Sequence, residues 1–166
     1  TGYSGGGKKM IAAYEEEGRD PLFDAPRQYG LTQKHKHLPE MAAVAGLSLP
    51  PVFCPVVAPY YAGMEVTVPL FRKDLACGIG TLKEIYAAFY GKGGTVFFRE
   101  DADEAGFLSA GAYENRDDME IAVFGNEERI LLVSRFDNLG KGASGAAIQN
   151  MNLVLGVEET RGLQLK

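Results

Sequence analysis

The sequence predicts an α+β domain, in which helices cover one face of a largely antiparallel mixed sheet. Three observations predict this class. Apolar residues alternate in several short runs, as in strands, while other runs have helical spacing. The two kinds of run do not follow the regular βαβ order of a parallel sheet. The chain has 166 residues, of which 46% are hydrophobic and 23% are charged. This suits a single globular domain over residues 1–166.

Two short helices are predicted in the first part of the chain. Residues 8–17 (KKMIAAYEEE) form the first, and a glycine and a proline shortly after it end it. Residues 22–34 are predicted as a loop. The second helix lies within residues 35–47 (HKHLPEMAAVAGL), where Pro39 suits the first turn and Gly46 the end.

Alternating apolar residues predict strands in two later regions. Residues 52–71 contain two such runs, which indicate two strands or one strand bent at Pro59 and Gly63. Residues 119–138 are typical of a β-hairpin, with its turn at residues 125–126, a Gly-Asn pair.

Two further helices are predicted beside these strands. Residues 81–84 (TLKE) match a capping box, and the helical spacing that follows stops at Gly91. Residues 95–98 then indicate a strand. Residues 140–156 begin with glycines and continue into a helix. The apolar stripe of that helix contains Ile148, Met151 and Leu155.

The bulk composition excludes several classes of function. The formal net charge is -5 with no basic stripe, which argues against nucleic acid as the main partner. No apolar run approaches the roughly 20 residues of a membrane-spanning helix. Cys54 and Cys77 form no metal or redox motif, so we expect reduced thiols, a cytoplasmic location and no metal.

The opening segment, residues 2–9 (GYSGGGKK), nearly matches the phosphate-binding pattern G-x-x-x-x-G-K-[ST]. Lys9 stands where that pattern needs a hydroxyl for magnesium, and no strand precedes the loop. A nucleotide site is therefore disfavoured. Backbone amides at a helix start, together with Lys8, still favour some anion. An ordinary flexible approach to the helix explains the same residues.

The two histidines of the chain, His35 and His37, are separated by one residue. On an extended segment this spacing places both imidazoles on one face. A nearby helix N-terminus disfavours the imidazolium, so a neutral histidine that accepts a proton near pH 7 is reasonable. A metal site is the minor option, since Glu40 is the only nearby third ligand. The alternative interpretation is that both side chains only satisfy hydrogen bonds of the loop.

The segment 137–152 (DNLGKGASGAAIQNMN) combines glycines, which allow close backbone approach, with side-chain amides suited to a ligand. These amides belong to Asn138, Gln149, Asn150 and Asn152. A helix face of this kind is equally suited to capping loops or to packing at an interface.

Taken together, these segments resemble the N-acetyl-γ-glutamyl-phosphate reductase family of arginine biosynthesis. TGYSGGGK (1–8) is similar to the family's S-G-x-S-G-x-G-R segment, and HKHLPE (35–40) to its H-R-H-x-P-E motif. VFCPVVAPYYAGM (52–64) resembles its Thr-Pro-His and Pro-Met-x-Arg-Gly region. Residues 137–152 resemble its C-terminal signature. The resemblance covers essentially the whole chain, in the family's order.

The resemblance implies a fold like the C-terminal domain of glyceraldehyde-3-phosphate dehydrogenase, and a role in NADPH-dependent reduction of an acyl phosphate through a cysteine thioester. It implies His37 as the catalytic acid/base. The substrate contacts that it implies are Ser4, Gly5, Lys8, His35 and Glu40. The residues that it places toward NADP(H) are Asn138, Gly142 and Asn150.

The chain departs from the family in what it lacks. The family's Gly-Cys nucleophile motif matches neither Cys54 nor Cys77, and the dinucleotide fingerprint is absent. Val56 stands in place of a histidine, and Ala62 in place of an arginine. We therefore expect a Rossmann domain upstream, outside this chain, and a substrate-binding and oligomerisation domain that is inactive alone.

The resemblance also implies partners. We expect a homo-oligomer, an acyl-phosphate substrate, and packing of the helix at 142–155 on the Rossmann domain. Two rival interpretations stay open. One is a reductase for N-acetyl-aminoadipyl phosphate or aspartyl phosphate, since one methylene changes little in a pocket. The other is a non-catalytic anion-binding or assembly module.

Overall fold

A computed structural model describes residues 1–165. Its longer elements alternate irregularly between helix and strand. The helices are α1 (Gly7–Glu15), α2 (His37–Ala45), α3 (Ile79–Tyr90) and α4 (Gly145–Leu155). The strands are β1 (Arg27–Gln28), β2 (Val56–Val57), β3 (Met64–Phe71), β4 (Val96–Phe98), β5 (Met119–Gly125) and β6 (Arg129–Phe136).

Four strands form the main sheet in the order β3-β6-β5-β4. The β3–β6 and β6–β5 pairs are antiparallel, and the β5–β4 pair is parallel. The predicted hairpin of β5 and β6 is confirmed, but its turn lies at residues 126–129 and not at residues 125–126, because Gly125 still pairs with Ile130 in the ladder. The largely antiparallel mixed sheet and the α+β class are likewise as predicted. β1 and β2 form a separate antiparallel pair.

The two faces of the main sheet are covered differently. Helix α3 packs on β4 and β5, and its Tyr86 ring stacks on Phe98 with centroids 6.4 Å apart. Val123 and Ile130, on the two central strands β5 and β6, are fully buried. Successive side chains of a strand point to opposite faces, so Arg135 and Glu120 occupy the face away from these residues. Residues 99–116 cover that second face.

Arg135 anchors this covering segment. Its guanidinium donates to the Ala102 carbonyl at 2.7 Å and to Glu104 Oε1 at 2.6 Å, and its Nε donates to Glu120 Oε1 at 2.8 Å. Tyr113 donates to the other oxygen of Glu120 at 2.5 Å. Burial and this acceptor raise the pKa of Tyr113 to about 12. The buried charges are therefore paired and hydrogen-bonded, as buried charges must be.

Two local predictions are wrong. The capping box does not form, because α3 begins at Ile79 after Gly78 and Thr81 lies inside the helix. Residues 52–55 are not a strand, since β2 contains only Val56 and Val57. Prolines at positions 50, 51 and 55 lack the amide hydrogen that a strand ladder needs. The partner of β2 is β1, which lies within the predicted loop at 22–34.

Candidate active site

The opening segment is held against residues 58–63 by backbone hydrogen bonds. Gly2 donates to the Gly63 carbonyl at 2.9 Å, and Ser4 donates to the Tyr61 carbonyl at 3.0 Å. A Cβ at Gly2 would lie 2.5 Å from the Tyr61 oxygen, so only glycine fits there. The segment is therefore a docked backbone that delivers Ser4 into the interior, where it is 4% exposed.

The glycine loop ends in a short 3-10 turn, Tyr3–Gly6, from which α1 begins at Gly7. Gly5 and Lys8 are both exposed. No side chain caps the start of α1, which leaves its first amides toward solvent. The loop thus presents amides and a lysine ammonium outward, an arrangement compatible with an anion.

Asn138 lies at the centre of the site, just after β6. Its Nδ2 donates to Ser4 Oγ at 2.9 Å, and its Oδ1 accepts from the Gly63 amide at 2.8 Å. Gly5 lies alongside, since a Cβ there would be 3.7 Å from Asn138 Nδ2. The structure therefore brings together two predicted substrate residues and one predicted cofactor residue.

The histidine pair forms a second cluster at the start of α2. The rings of His35 and His37 have centroids 4.8 Å apart. His35 Nδ1 accepts from the His37 backbone amide at 3.3 Å, which places the proton of a neutral His35 ring on Nε2. The expected extended segment is wrong, because Lys36 between them has helical backbone angles. A turn, closed by that hydrogen bond, brings the rings together instead.

The environments of the two histidines differ. His35 is half-buried and packs against Tyr29 and Phe53, with centroids 5.9 and 5.1 Å away. His37 is exposed at the first position of α2. Glu40 is also exposed, in the first turn of the same helix. The imidazole of His37 is therefore the more accessible of the two, and that of His35 is partly covered by its aromatic neighbours.

A groove of about 610 Å³ lies beside His35. Tyr29 and Phe53 line it, and so does Thr1 from the opening segment. Partial burial raises the pKa of Tyr29, which keeps its phenol neutral. Among residues 1–165, no direct hydrogen bond joins the histidine cluster to the Ser4–Asn138 cluster. Sequence reasoning did not identify Tyr29 and Phe53, because no spacing relates them to His35.

The amides of α4 divide into structural and accessible ones. Gln149 donates to Thr95 Oγ1 at 3.0 Å, and the buried Asn152 donates to the carbonyls of Glu159 and Arg161. Asn150 is exposed, and its one side-chain bond goes to the Ala146 carbonyl in its own helix. These hydrogen bonds explain Gln149 and Asn152 structurally, whereas the exposed Asn150 presents an amide that is accessible to a ligand.

The glycines in the turn before α4 and at its first position are explained by packing. A Cβ at Gly140 would overlap the Arg116 carbonyl, and one at Gly145 would overlap the Asp117 carboxylate. At Gly142 a Cβ would lie 3.2 Å from the Asp137 carbonyl. Lys141 in this turn donates to Gln149 at 2.6 Å, and burial lowers its pKa. The turn therefore fits tightly on the end of β6 and the start of β5.

Within residues 1–165, no group of three or more His, Cys, Asp or Glu side chains converges in a way that could hold a metal ion. In that part of the chain, no helix is long and apolar enough to cross a bilayer. Cys54 and Cys77 are both free thiols.

Residues 1–138 match the family model described as "Semialdehyde dehydrogenase, dimerisation domain". Among curated proteins, the chain is similar to N-acetyl-gamma-glutamyl-phosphate reductase of Rhizobium meliloti (strain 1021), with 44% identity over 163 residues. That match covers 93% of this chain and 52% of the relative. N-acetyl-gamma-glutamyl-phosphate reductase 2 of Nostoc sp. is 38% identical and covers 98% of this chain and 55% of the relative.

The chain spans about half the length of these curated relatives. Among solved structures, it resembles aspartate semialdehyde dehydrogenase II from Vibrio cholerae, with a TM-score of 0.65 at 16% identity. That match covers 94% of this chain and 52% of the solved one. At this identity the structural likeness bears on the fold alone, and it agrees with the predicted fold class.

Proposed function

Because the chain belongs to the semialdehyde dehydrogenase dimerisation-domain family, we propose that it is the substrate-binding and dimerisation part of an NADPH-dependent acyl-phosphate reductase. The proposed substrate is N-acetyl-glutamyl 5-phosphate, and the product is N-acetyl-glutamate 5-semialdehyde. The observation that carries this proposal is the similarity, at 38–44% identity over at least 93% of the chain, to relatives named as that reductase.

In the proposed reaction, a cysteine thiolate attacks the acyl carbon and phosphate leaves. The thioester is then reduced to the aldehyde, which frees the thiolate. NADPH supplies the hydride for the reduction. We assign the cysteine and the main cofactor site to a Rossmann domain outside residues 1–166, so that this chain is inactive alone. The reason is that neither Cys54 nor Cys77 matches the nucleophile motif and the chain has no dinucleotide fingerprint.

We assign the acid/base role to His37. Its imidazole is exposed at the start of α2, next to a ring that is fixed by its own hydrogen bond. There it takes the thiol proton as the attacking thiolate forms, and it passes that proton to the leaving phosphate oxygen. The substrate contacts in this proposal are Ser4, Gly5, Lys8, His35 and Glu40.

The turn after β6 and the exposed face of α4 are proposed to meet the cofactor. Asn150 and Gly142 are exposed, and Asn138 keeps one amide hydrogen beyond its bond to Ser4. These groups suit a neutral polar part of NADPH, because they offer hydrogen bonds without charge. The phosphates of the cofactor belong to the Rossmann domain in this proposal.

We further propose a second copy of the chain as the partner, a cytoplasmic location, and chemistry without metal or nucleic acid. The family description names a dimerisation domain. The free thiols of Cys54 and Cys77 suit a reducing compartment.

The test is an assay of the full-length protein that contains this chain, in the reverse direction. The semialdehyde, inorganic phosphate and NADP are the substrates, and NADPH formation is the readout. We expect His37→Asn to lower kcat by about 10²–10⁴-fold, the usual contribution of a general acid/base. His35→Asn should raise KM more than it lowers kcat, since His35 is assigned to binding.

Wild-type turnover in His37→Asn would remove His37 from this role. Faster turnover of aspartate semialdehyde or the aminoadipate analogue would replace the proposed substrate. Phosphate binding without turnover of any of the three would favour the non-catalytic module.

A further inference from the structure

The orientation of the Asn138 amide is fixed by the backbone. A side-chain amide has an oxygen that accepts and a nitrogen that donates, and the two look alike in shape. The Gly63 amide can only donate, and it lies 2.8 Å from one end of Asn138. That end is therefore the oxygen, and the NH₂ group faces Ser4.

This orientation fixes the polarity of the Ser4 hydroxyl. Asn138 Nδ2 donates to Ser4 Oγ at 2.9 Å, so the hydroxyl is an acceptor in this bond. Among residues 1–165, it has no hydrogen-bond acceptor for its own proton. Ser4 is 4% exposed, and its backbone amide is bound to the Tyr61 carbonyl at 3.0 Å. A buried, fixed hydroxyl thus retains one hydrogen to donate.

We propose that Asn138 is a positioning residue, which holds the Ser4 hydroxyl as a hydrogen-bond donor to a phosphoryl oxygen of the substrate. This inference rests on the proposed function, because it assumes that Ser4 contacts the substrate. The new element is that the Ser4 hydroxyl can only donate a hydrogen bond to the substrate and cannot accept one from it. A hydroxyl that is free to rotate would donate and accept alike, whereas this one recognises an acceptor and so favours an anion.

The same arrangement explains why the three residues meet although they lie far apart in sequence. Gly63 has φ +114°, which glycine adopts readily, and its carbonyl binds Gly2 while its amide binds Asn138. The Gly63 backbone therefore fixes both the position of the opening segment and the orientation of the Asn138 side chain. Rigid placement of this kind lowers the cost of binding.

The decisive variant is Asn138→Asp in the full-length protein. An aspartate still accepts from the Gly63 amide, so that contact is kept. It has no hydrogen to give to Ser4, so the hydroxyl turns and donates to the carboxylate. The donor toward the substrate is then lost while Ser4 itself is unchanged. Ser4→Ala removes the hydroxyl outright, and the double variant combines both changes.

In the reverse assay we expect Asn138→Asp and Ser4→Ala each to raise KM for inorganic phosphate by about 10-fold or more, the loss of one charge-assisted hydrogen bond. KM for the semialdehyde should change less than about twofold. The double variant should be no worse than Ser4→Ala. A merely structural role would move both KM values, and repulsion by the new carboxylate would lower phosphate affinity further in the Ser4→Ala background.

Unchanged phosphate KM in Asn138→Asp, or additive losses in the double variant, would overturn the positioning role while the proposed reaction stands. Calorimetry with inorganic phosphate separates the two proposals. If the wild type binds phosphate without turnover, and both single variants lose that binding, Asn138 positions Ser4 and the proposed reaction is wrong. Phosphate affinity equal in all variants overturns the positioning role, whatever the reaction.

Discussion

Gly63 shows how one residue determines the candidate site. Its amide binds Asn138, its carbonyl binds Gly2, and a Cβ would overlap the Ala110 carbonyl oxygen. Its φ of +114° is one that side-chain-bearing residues rarely adopt. The position thus joins the opening segment, the end of β6 and the segment that covers the sheet.

We expect Gly63→Ala to lower the free energy of unfolding by at least about 2 kcal/mol, because backbone strain and overlap with fixed backbone act together. Gly18→Ala is the matched control. Gly18 also has a positive φ, +72°, but a Cβ there would meet nothing within 4 Å. Its cost should be about 1 kcal/mol. Urea unfolding compares the two, and equal costs would show that the overlap is relieved easily.

At the scale of elements, helix α4 is tied to the tail of the chain by its buried amides. Asn152 is 3% exposed and donates to two carbonyls of the tail, at 3.0 and 2.9 Å. Asn150, two residues earlier, is exposed. The two asparagines therefore have different roles despite identical chemistry and the same helix.

Asn152→Ala should cost about 1–3 kcal/mol of stability, because it leaves two carbonyls without their donor. Hydrogen exchange of the amides in residues 157–165 should accelerate. Asn150→Ala should change stability by less than about 0.5 kcal/mol. In the full-length protein it should raise KM for NADPH, because Asn150 is proposed to contact the cofactor. Equal protection of the tail in both variants would contradict this division.

Glu104, in the segment 99–116 that covers the second face of the sheet, makes the stability of the fold depend on pH. Hydrogen bonds from Arg135 and from the Ser109 amide lower the pKa of Glu104 from its ordinary value of 4.5. The Glu104 carboxylate therefore binds a proton more readily in the unfolded chain than in the folded one. The stability that Glu104 contributes is present above pH 4.5 and is lost as the pH falls through its lowered pKa.

Glu104→Gln should lower the unfolding free energy at neutral pH by at most about 1 kcal/mol, since the carboxylate is half-exposed. The difference from the wild type should shrink as the solution is acidified below pH 4.5. Glu128→Gln is the control, because its ion pair with Arg129 is exposed on both sides. A constant difference at all pH values would contradict the assignment.

At the scale of the whole molecule, many large apolar side chains are exposed, and two groups of them lie on β3 and on α4. On the edge strand β3, Val66 and Val68 are 42% and 46% exposed. At the end of α4, Val154 and Leu155 are 87% and 65% exposed. Exposed apolar surface of this kind commonly marks an interface. We assign β3 to the second copy, while α4 remains the predicted contact of the Rossmann domain.

Val68→Glu should convert the proposed dimer to a monomer, because it places a charge in the proposed interface. Thr67→Glu is the matched control, since Thr67 is exposed on the opposite face of the same strand. Size-exclusion chromatography with light scattering measures the mass of both. A dimer that survives Val68→Glu would place the interface elsewhere.

The sequence by itself determined the class of fold and the position of most elements. Periods of two and 3.6 residues are local properties, so they located β3, β5, β6 and the four helices. The sequence also identified the segments that contain Ser4, His35, His37 and Asn138 as candidates for catalysis or ligand binding. At residues 52–55 the alternation of apolar residues wrongly predicted a strand, because Pro55 lacks the amide hydrogen that strand pairing needs.

Only the tertiary structure decided which of these residues meet. Ser4 and Asn138 are 134 positions apart, and no periodicity relates them. Their contact depends on the pairing of β3 with β6 and on the close fit of the Gly63 backbone against Ala110. The parallel β4–β5 pair and the small β1–β2 sheet were hidden for the same reason. Hydrogen bonds between distant segments depend on how the chain packs, whereas residue spacing along the sequence indicates only local secondary structure.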